Sequence, residues 1–173
     1  MKFILPAIAA AGALAICGAA AAAEGPSDPQ IAHIAYTAGN IDVAAAKQAL
    51  KKSHNAAVRE FASEMVRDHE AVNAKALALV KELKVTPEDN PTSQALSKGA
   101  AAELTKLAAL DGAAFDKAYV ANEVAFHGTV NGALKSTLIP SADNPQLKSL
   151  LETGLTLFTE HQHHAEHLAS ELK

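Results

Sequence analysis

Apolar residues recur every three or four positions along most of the chain, the repeat of one buried face on an α-helix of about 3.6 residues per turn. In the first such stretch, about Pro29 to Lys51, the stripe is Ile31, Ile34, Ala35, Ala38, Ile41, Ala45 and Ala49. Asp28-Pro29 supplies an N-cap and a proline at the first helical position, where a missing N–H is no loss. KKSHN reads as a turn. Asn55 then caps a second helix with the face Val58, Phe61, Met65, Val72, Ala76, Leu79 and Leu83. VTPEDNPTS, with its two prolines, ends that helix. A shorter helix follows from about Ser93 to Leu107, with a boundary at Asp111-Gly112. The next long helix carries Phe115, Tyr119, Val120, Phe126, Val130 and Leu134 and runs to about Leu138. IPSADN reads as a loop. Asn144 caps the last helix, Pro145 starts it, and Leu147, Leu150, Leu151, Phe158, Ala165 and Leu168 form its stripe.

Four long helices and a short one, with no repeat of roughly 20–50 residues, predict an all-α fold. The expected architecture is a four-helix bundle with an extra short helix in its long middle connection. Composition agrees: there is no Trp, aromatics make up 4% of the 173 residues, and alanine is abundant, so helices can approach closely. The formal net charge of −4 argues against nucleic acid as a partner.

The N-terminus sets the expected compartment. MKFILPAIAAAGALAICGAAAAAEG has one charge at Lys2, an apolar run and Ala21-Ala22-Ala23, the organisation of a secretory signal peptide. Cleavage is expected after Ala23, leaving residues 24–173 as a single helical domain with its core over about 29–172, in the periplasm or secreted. A lipoprotein reading at Cys17 is weaker, because Ile16 stands where a small residue is needed. Cleavage would remove Cys17, the one cysteine, so neither disulfide nor thiolate ligand enters the picture. No second apolar run suggests a lasting membrane span. An envelope partner is compatible with export, and oligomeric state is left open.

Placing polar residues on these helices, at about 100° per residue, singles out a few that face inward. His69 falls within about 20–30° of the centre of the second helix's stripe, and Asp68 lies at its edge. Glu123 and His127, one turn apart, fall inside the arc of the fourth helix. The last helix carries FTEHQHHAEHL, with four of the chain's eight histidines. Phase divides them: His161 faces in, His164 sits at the edge, and His163 and His167 point out with Glu160. Asp42 falls among Ile34, Ala35, Ala38 and Ala45 on the first helix. Heights along the helices refine the set. Counted from a turn near Asp143, Glu123 and His161 differ by only ~3 Å. Asp42 and His69, counted from a turn near Ser53, differ by roughly 7 Å, which makes Asp42 a marginal member.

Ionisable groups inside an apolar bundle need one another or a metal. His69, Glu123, His127 and His161 can together hold a first-row divalent ion such as zinc, iron, copper or manganese, with His164, Asp68 and Asp42 as marginal additions. The alternative is a buried Glu–His network that fixes helix register in a non-catalytic envelope protein. Enzyme signatures are thin. The carboxylate-rich di-iron pattern needs two Glu-x-x-His motifs, and here Glu160–His163, pointing outward, is the only such spacing. No nucleophile elbow, P-loop, dinucleotide fingerprint or HExxH occurs.

The segments AAVREFASEMVRDHEAVN, FDKAYVANEVAFHGTVNGAL and LFTEHQHHAEHL resemble a bacterial exported family catalogued as domain of unknown function 4142. The likeness spans about Ile34 to Leu168. It implies a ferritin-like helical bundle in an envelope protein, with the family's histidines falling on His69, His127 and His161. Where many members read Asp-His, this chain reads Phe126-His127, with Glu123 one turn earlier.

Overall fold

A computed structural model describes residues 25–172, all of whose regular structure is helical. The leader expected at residues 1–23, with Cys17, lies outside the described residues. Four long helices, α1 (Asp28–Lys52), α2 (Ala56–Glu82), α4 (Gly112–Ala133) and α6 (Pro145–Glu171), surround the core. The shorter α3 (Pro91–Ala108) lies against α1 and α4. Helix α1 packs on α2, α2 on α6, α6 on α4, and α4 on α1, so the long helices close a ring. No helix among the described residues is long and apolar enough to cross a membrane.

Most boundaries follow local chemistry. The Asn55 side chain accepts from the N–H groups of Ala57 and Val58, and Asn144 does the same for Gln146 and Leu147. Three boundaries differ from the sequence expectation. Ser27, not Asp28, caps α1, and the Asp28 carboxylate instead accepts from the N–H groups of Asp143 and Asn144 at 3.0 and 2.9 Å. Asn90 caps α3, so that helix starts at Pro91 and Ser93 lies inside its first turn. The chain after Leu138 is not yet a loop. Leu134–Leu138 widens into a π turn that leads into the short α5 (Ile139–Ser141). Pro140 explains the widening, since its ring would meet the carbonyl four residues back in a regular α-turn and it has no N–H to donate.

The core forms two apolar layers. One contains Ala46, Ala49, Val58, Phe61, Met65, Leu107, Phe115, Tyr119, Ala165 and Leu168. The other contains Ile31, Ile34, Leu134, Leu138, Leu147 and Leu151. On each long helix one stretch separates the layers, and there the inward residue is polar: Asp42 on α1, His69 on α2, Glu123 and His127 on α4, His161 on α6. Beside the second layer a largely apolar cleft of about 530 Å³ is lined by residues including Val72, Ala76, Val80, Val130 and Leu150. Phe158 stands where this cleft meets the polar layer, its ring stacked on His69 at 4.6 Å.

Candidate metal centre

The polar layer brings five ionisable side chains from four helices together out of water. Asp42, His69, Glu123, His127 and His161 are each at most 4% exposed. Ring nitrogens of His69, His127 and His161 lie within 4.8 Å of one another. Donor atoms of Asp42, Glu123 and His127 form a second such group, so His127 belongs to both. Asp42 Oδ2 stands 3.5 Å from His69 Nε2 and 3.5 Å from His127 Nε2. Glu123 Oε2 is 3.6 Å from His127 Nδ1.

Asp42 is therefore central rather than marginal. The expected height mismatch with His69 shrinks for two reasons. The break between α1 and α2 centres on His54, which leaves the pair three residues apart in height, or about 4.5 Å. Side chains also lean toward their helix N-terminus, which tilts Asp42 away from that turn and His69 toward it. The two lean into each other.

Hydrogen bonds orient two of the rings and leave nitrogens free. His127 Nδ1 lies 3.0 Å from the Glu123 carbonyl oxygen, so it carries the proton and leaves Nε2 as a lone-pair donor facing Asp42. His161 Nε2 lies 3.1 Å from Asp68 Oδ2, leaving Nδ1. A ring whose other nitrogen is held by a carbonyl or carboxylate is the usual arrangement of a metal-ligating histidine. His69 keeps both nitrogens without a hydrogen-bond partner, as do both Asp42 oxygens, Glu123 Oε2, His127 Nε2 and His161 Nδ1. Buried polar atoms are normally paired, so this concentration in one place is unusual.

Burial sets the charge states. It pushes the Asp42 carboxyl up to about 7, offset in part by its contact with Glu123. Glu123 is driven well above the usual carboxylate range by burial and then by the Asp42 charge. Two ionised carboxylates offer each other no donor; one shared proton turns their contact into a hydrogen bond. Burial, with His127 and His161 nearby, brings His69 down to about 2, and burial with His161 brings His127 down to about 4. His161 is also lowered by burial, against the opposing pull of Asp68. Without a cation the imidazoles are unprotonated, and both acids keep their protons only well below pH 7, coming to share one as Asp42 ionises near that pH.

The other sequence candidates lie further out. Asp68 is partly exposed and held by Arg67 through two bonds of 2.7 and 2.8 Å, which lower its carboxyl below the usual range. The edge position expected for His164 takes it away from the buried set. Its Nδ1 lies 2.8 Å from Glu64 Oε2, with the side chain 44% exposed. Glu160, His163 and His167 face solvent as their phase predicts. Glu64 is absent from the sequence candidates, although it stands one turn before Asp68. The sequence pattern marks Tyr119 only as an apolar wall. Its buried hydroxyl has no partner, and burial, then Glu123 and Asp42, raise its pKa well above the ordinary value.

The sequence model of the family described as Domain of unknown function (DUF4142) matches residues 14–168. The chain belongs to the DUF4142 family. The three histidines that the family resemblance put forward are the three whose rings meet, with centroids 5.4 to 5.6 Å apart. Phe126, at the position where the resemblance implies an aspartate, packs edge-on to the His127 ring, at 6.4 Å between centroids. The carboxylates next to His127 come instead from Glu123 on the same helix and Asp42 on α1. Neither a search of curated proteins nor one of solved structures found a match.

Proposed function

We propose that this chain is a ferritin-like bundle protein of the cell envelope that holds a first-row divalent metal ion in its core. Its role would lie in metal handling or envelope stress rather than in a carboxylate-rich oxidase reaction. The observation that carries this reading is the set of buried ring nitrogens on His69, His127 and His161 that have no hydrogen-bond partner, facing the buried carboxyls of Asp42 and Glu123. The donor chemistry fits: three imidazoles and two carboxylates suit zinc, iron, copper or manganese, and a cation would supply the charge that lets both acids ionise. The leader pattern supports export, and the packing of four long helices around the site supports the ferritin-like description.

The test is elemental analysis of tag-free protein purified under metal-replete conditions, beside His69→Ala and His161→Ala. Stoichiometric metal in the wild type and its loss in both variants is the expected result. A wild type without metal would overturn the proposal. The rival reading, a buried Glu–His network that fixes register, draws on the 3.5 Å contacts of Asp42 Oδ2 with His69 Nε2 and His127 Nε2, which would be ion pairs. It predicts that Asp42→Asn weakens the metal-free protein, a point on which the two readings differ in sign.

A further inference from the structure

A second group of donors stands between the buried layer and solvent. Glu64, Asp68 and His161 offer ligand atoms within 4.8 Å of one another, and His164 adds a fourth through Glu64. Two helices build it by one-turn spacings: Glu64 and Asp68 from α2, His161 and His164 from α6. Exposure falls steeply across the group. The side chains are 44% exposed at His164, 30% at Glu64, 16% at Asp68 and 2% at His161. His161 belongs to both tiers: Nε2 faces Asp68, while the ring itself lies 5.4 Å from His69 and 5.6 Å from His127.

We propose that Glu64, Asp68, His161 and His164 form a loading site for divalent cations, through which an ion passes to the buried centre. This rests on the metal reading above. The carboxylates supply attraction where the ion arrives still hydrated, and His161 hands it inward by turning from Asp68 to the buried donors. Among the described residues, Asn122 also joins the layer to the outside, donating to Glu123 Oε1 at 3.4 Å. It is a neutral amide, and the groove beside it is mostly apolar, so it offers a cation little. Arg67 guards the charged route. It bonds both Asp68 oxygens and lies 3.9 Å from Glu64 Oε1, yet its side chain is 69% exposed and free to swing away.

The experiment follows Co²⁺ uptake by metal-free, tag-free protein through the visible absorption of the bound ion, and its release to excess chelator. Glu64→Gln should slow uptake by about tenfold or more, the scale on which local charge alters association, and His164→Ala should slow it by removing a ligand nitrogen. Release should slow by the same factor, leaving final stoichiometry, spectrum and affinity as in wild type. Arg67→Gln should speed uptake. A residue with a merely structural role would alter affinity or folding without slowing both directions equally. Wild-type uptake rates in both Glu64→Gln and His164→Ala would overturn the loading route while leaving the buried centre intact. Reduced stoichiometry or affinity in them would also overturn it, by making the outer residues part of the final site. No Co²⁺ uptake by the wild type would overturn the centre itself, and the route with it.

Discussion

Replacing Asp42 by Asn separates a metal centre from a structural ion network more sharply than removing any histidine. Asn keeps the shape and removes the charge. Burial raises the Asp42 carboxyl from 3.8 to about 7, so the folded protein binds that proton more tightly than the unfolded chain. The stabilising effect of the proton is fully present below 3.8 and is lost as pH rises to about 7. Above that, a buried charge remains whose cost is about 4 kcal/mol, at about 1.36 kcal/mol per tenfold change in proton affinity. The Asp42→Asn variant escapes this loss, and it also relieves Glu123, whose carboxyl is raised partly by the Asp42 charge. His69 and His127 act in the opposite sense. Their lowered values mean stability present above 6.5 and lost on acidification toward about 4 for His127 and about 2 for His69. Both histidines are present in wild type and variant, so to first order they cancel in the comparison. In excess chelator, the stability of Asp42→Asn should rise relative to wild type by about 3 kcal/mol between about pH 5 and pH 8. Urea unfolding reads this as a relative midpoint shift of about 1–2 M. Added metal should offset most of this difference. At a hundred times its dissociation constant an ion stabilises the wild type by about 2.7 kcal/mol, and the variant, lacking a charged ligand, gains less. A metal-free Asp42→Asn protein less stable than wild type at about pH 8, or a difference that ignores pH, would refute the reasoning. Asp42 would then be an ion paired with a protonated histidine.

Metal binding near pH 6 should release about one proton or more per ion, because Asp42 and Glu123 must ionise, and affinity should rise with pH. Calorimetry in two buffers of different ionisation enthalpy measures this, and a heat independent of buffer would contradict it. Gly39→Ala would set a Cβ 2.3 Å from Asn73 Oδ1 and disturb the Asn73–Asn40 bond of 3.1 Å. The clash, about 1–3 kcal/mol, should outweigh the ~1 kcal/mol helical advantage of alanine and lower the melting temperature; a raised one would show that Asn73 moves freely. Lys84 ends α2 at φ 55°, with Val85 N–H bonded to the Val80 carbonyl, a turn that favours glycine. Lys84→Gly should therefore stabilise by about 0.5–1 kcal/mol, and a lower urea midpoint would count against it.

The inward histidines are legible in the sequence because helical phase is a local property. His69, His127 and His161 each sit on a stripe whose apolar members are visible within a few turns, and the structure keeps each in that phase. Heights between helices are less legible. Asp42 has the right phase, but its expected height suffers from a one-residue error in locating a turn, compounded by neglect of side-chain lean. Glu64 has a weaker signal still. It is half-buried, and its partner His164 lies 100 residues away, so nothing local marks the pair. The π turn at Leu134–Leu138 follows from Pro140, yet a proline near a helix end reads equally well as a stop. The packing of α3 against α1 and α4 depends on a connection whose path no periodicity encodes.

The stretch EHQHHAEH shows what phase does once the bundle is assembled. Four histidines in seven residues read as one metal-catching cluster, but helical geometry sends them to different surroundings. His161 enters the layer between the two apolar cores, where it meets His69 and His127. His164, three residues on, turns to Glu64 at the α2–α6 surface. His163 and His167 face water. A buried set of three imidazoles and two carboxylates is costly to fold, and register alone could be fixed by apolar packing at less cost. The two layers on either side are such packing, and they already align all four long helices. What they do not supply is a reason for unpaired donor atoms at the level between them. A bound cation supplies one, since it would pair the imidazole nitrogens with the carboxylate oxygens and remove the penalty that burial imposes on both.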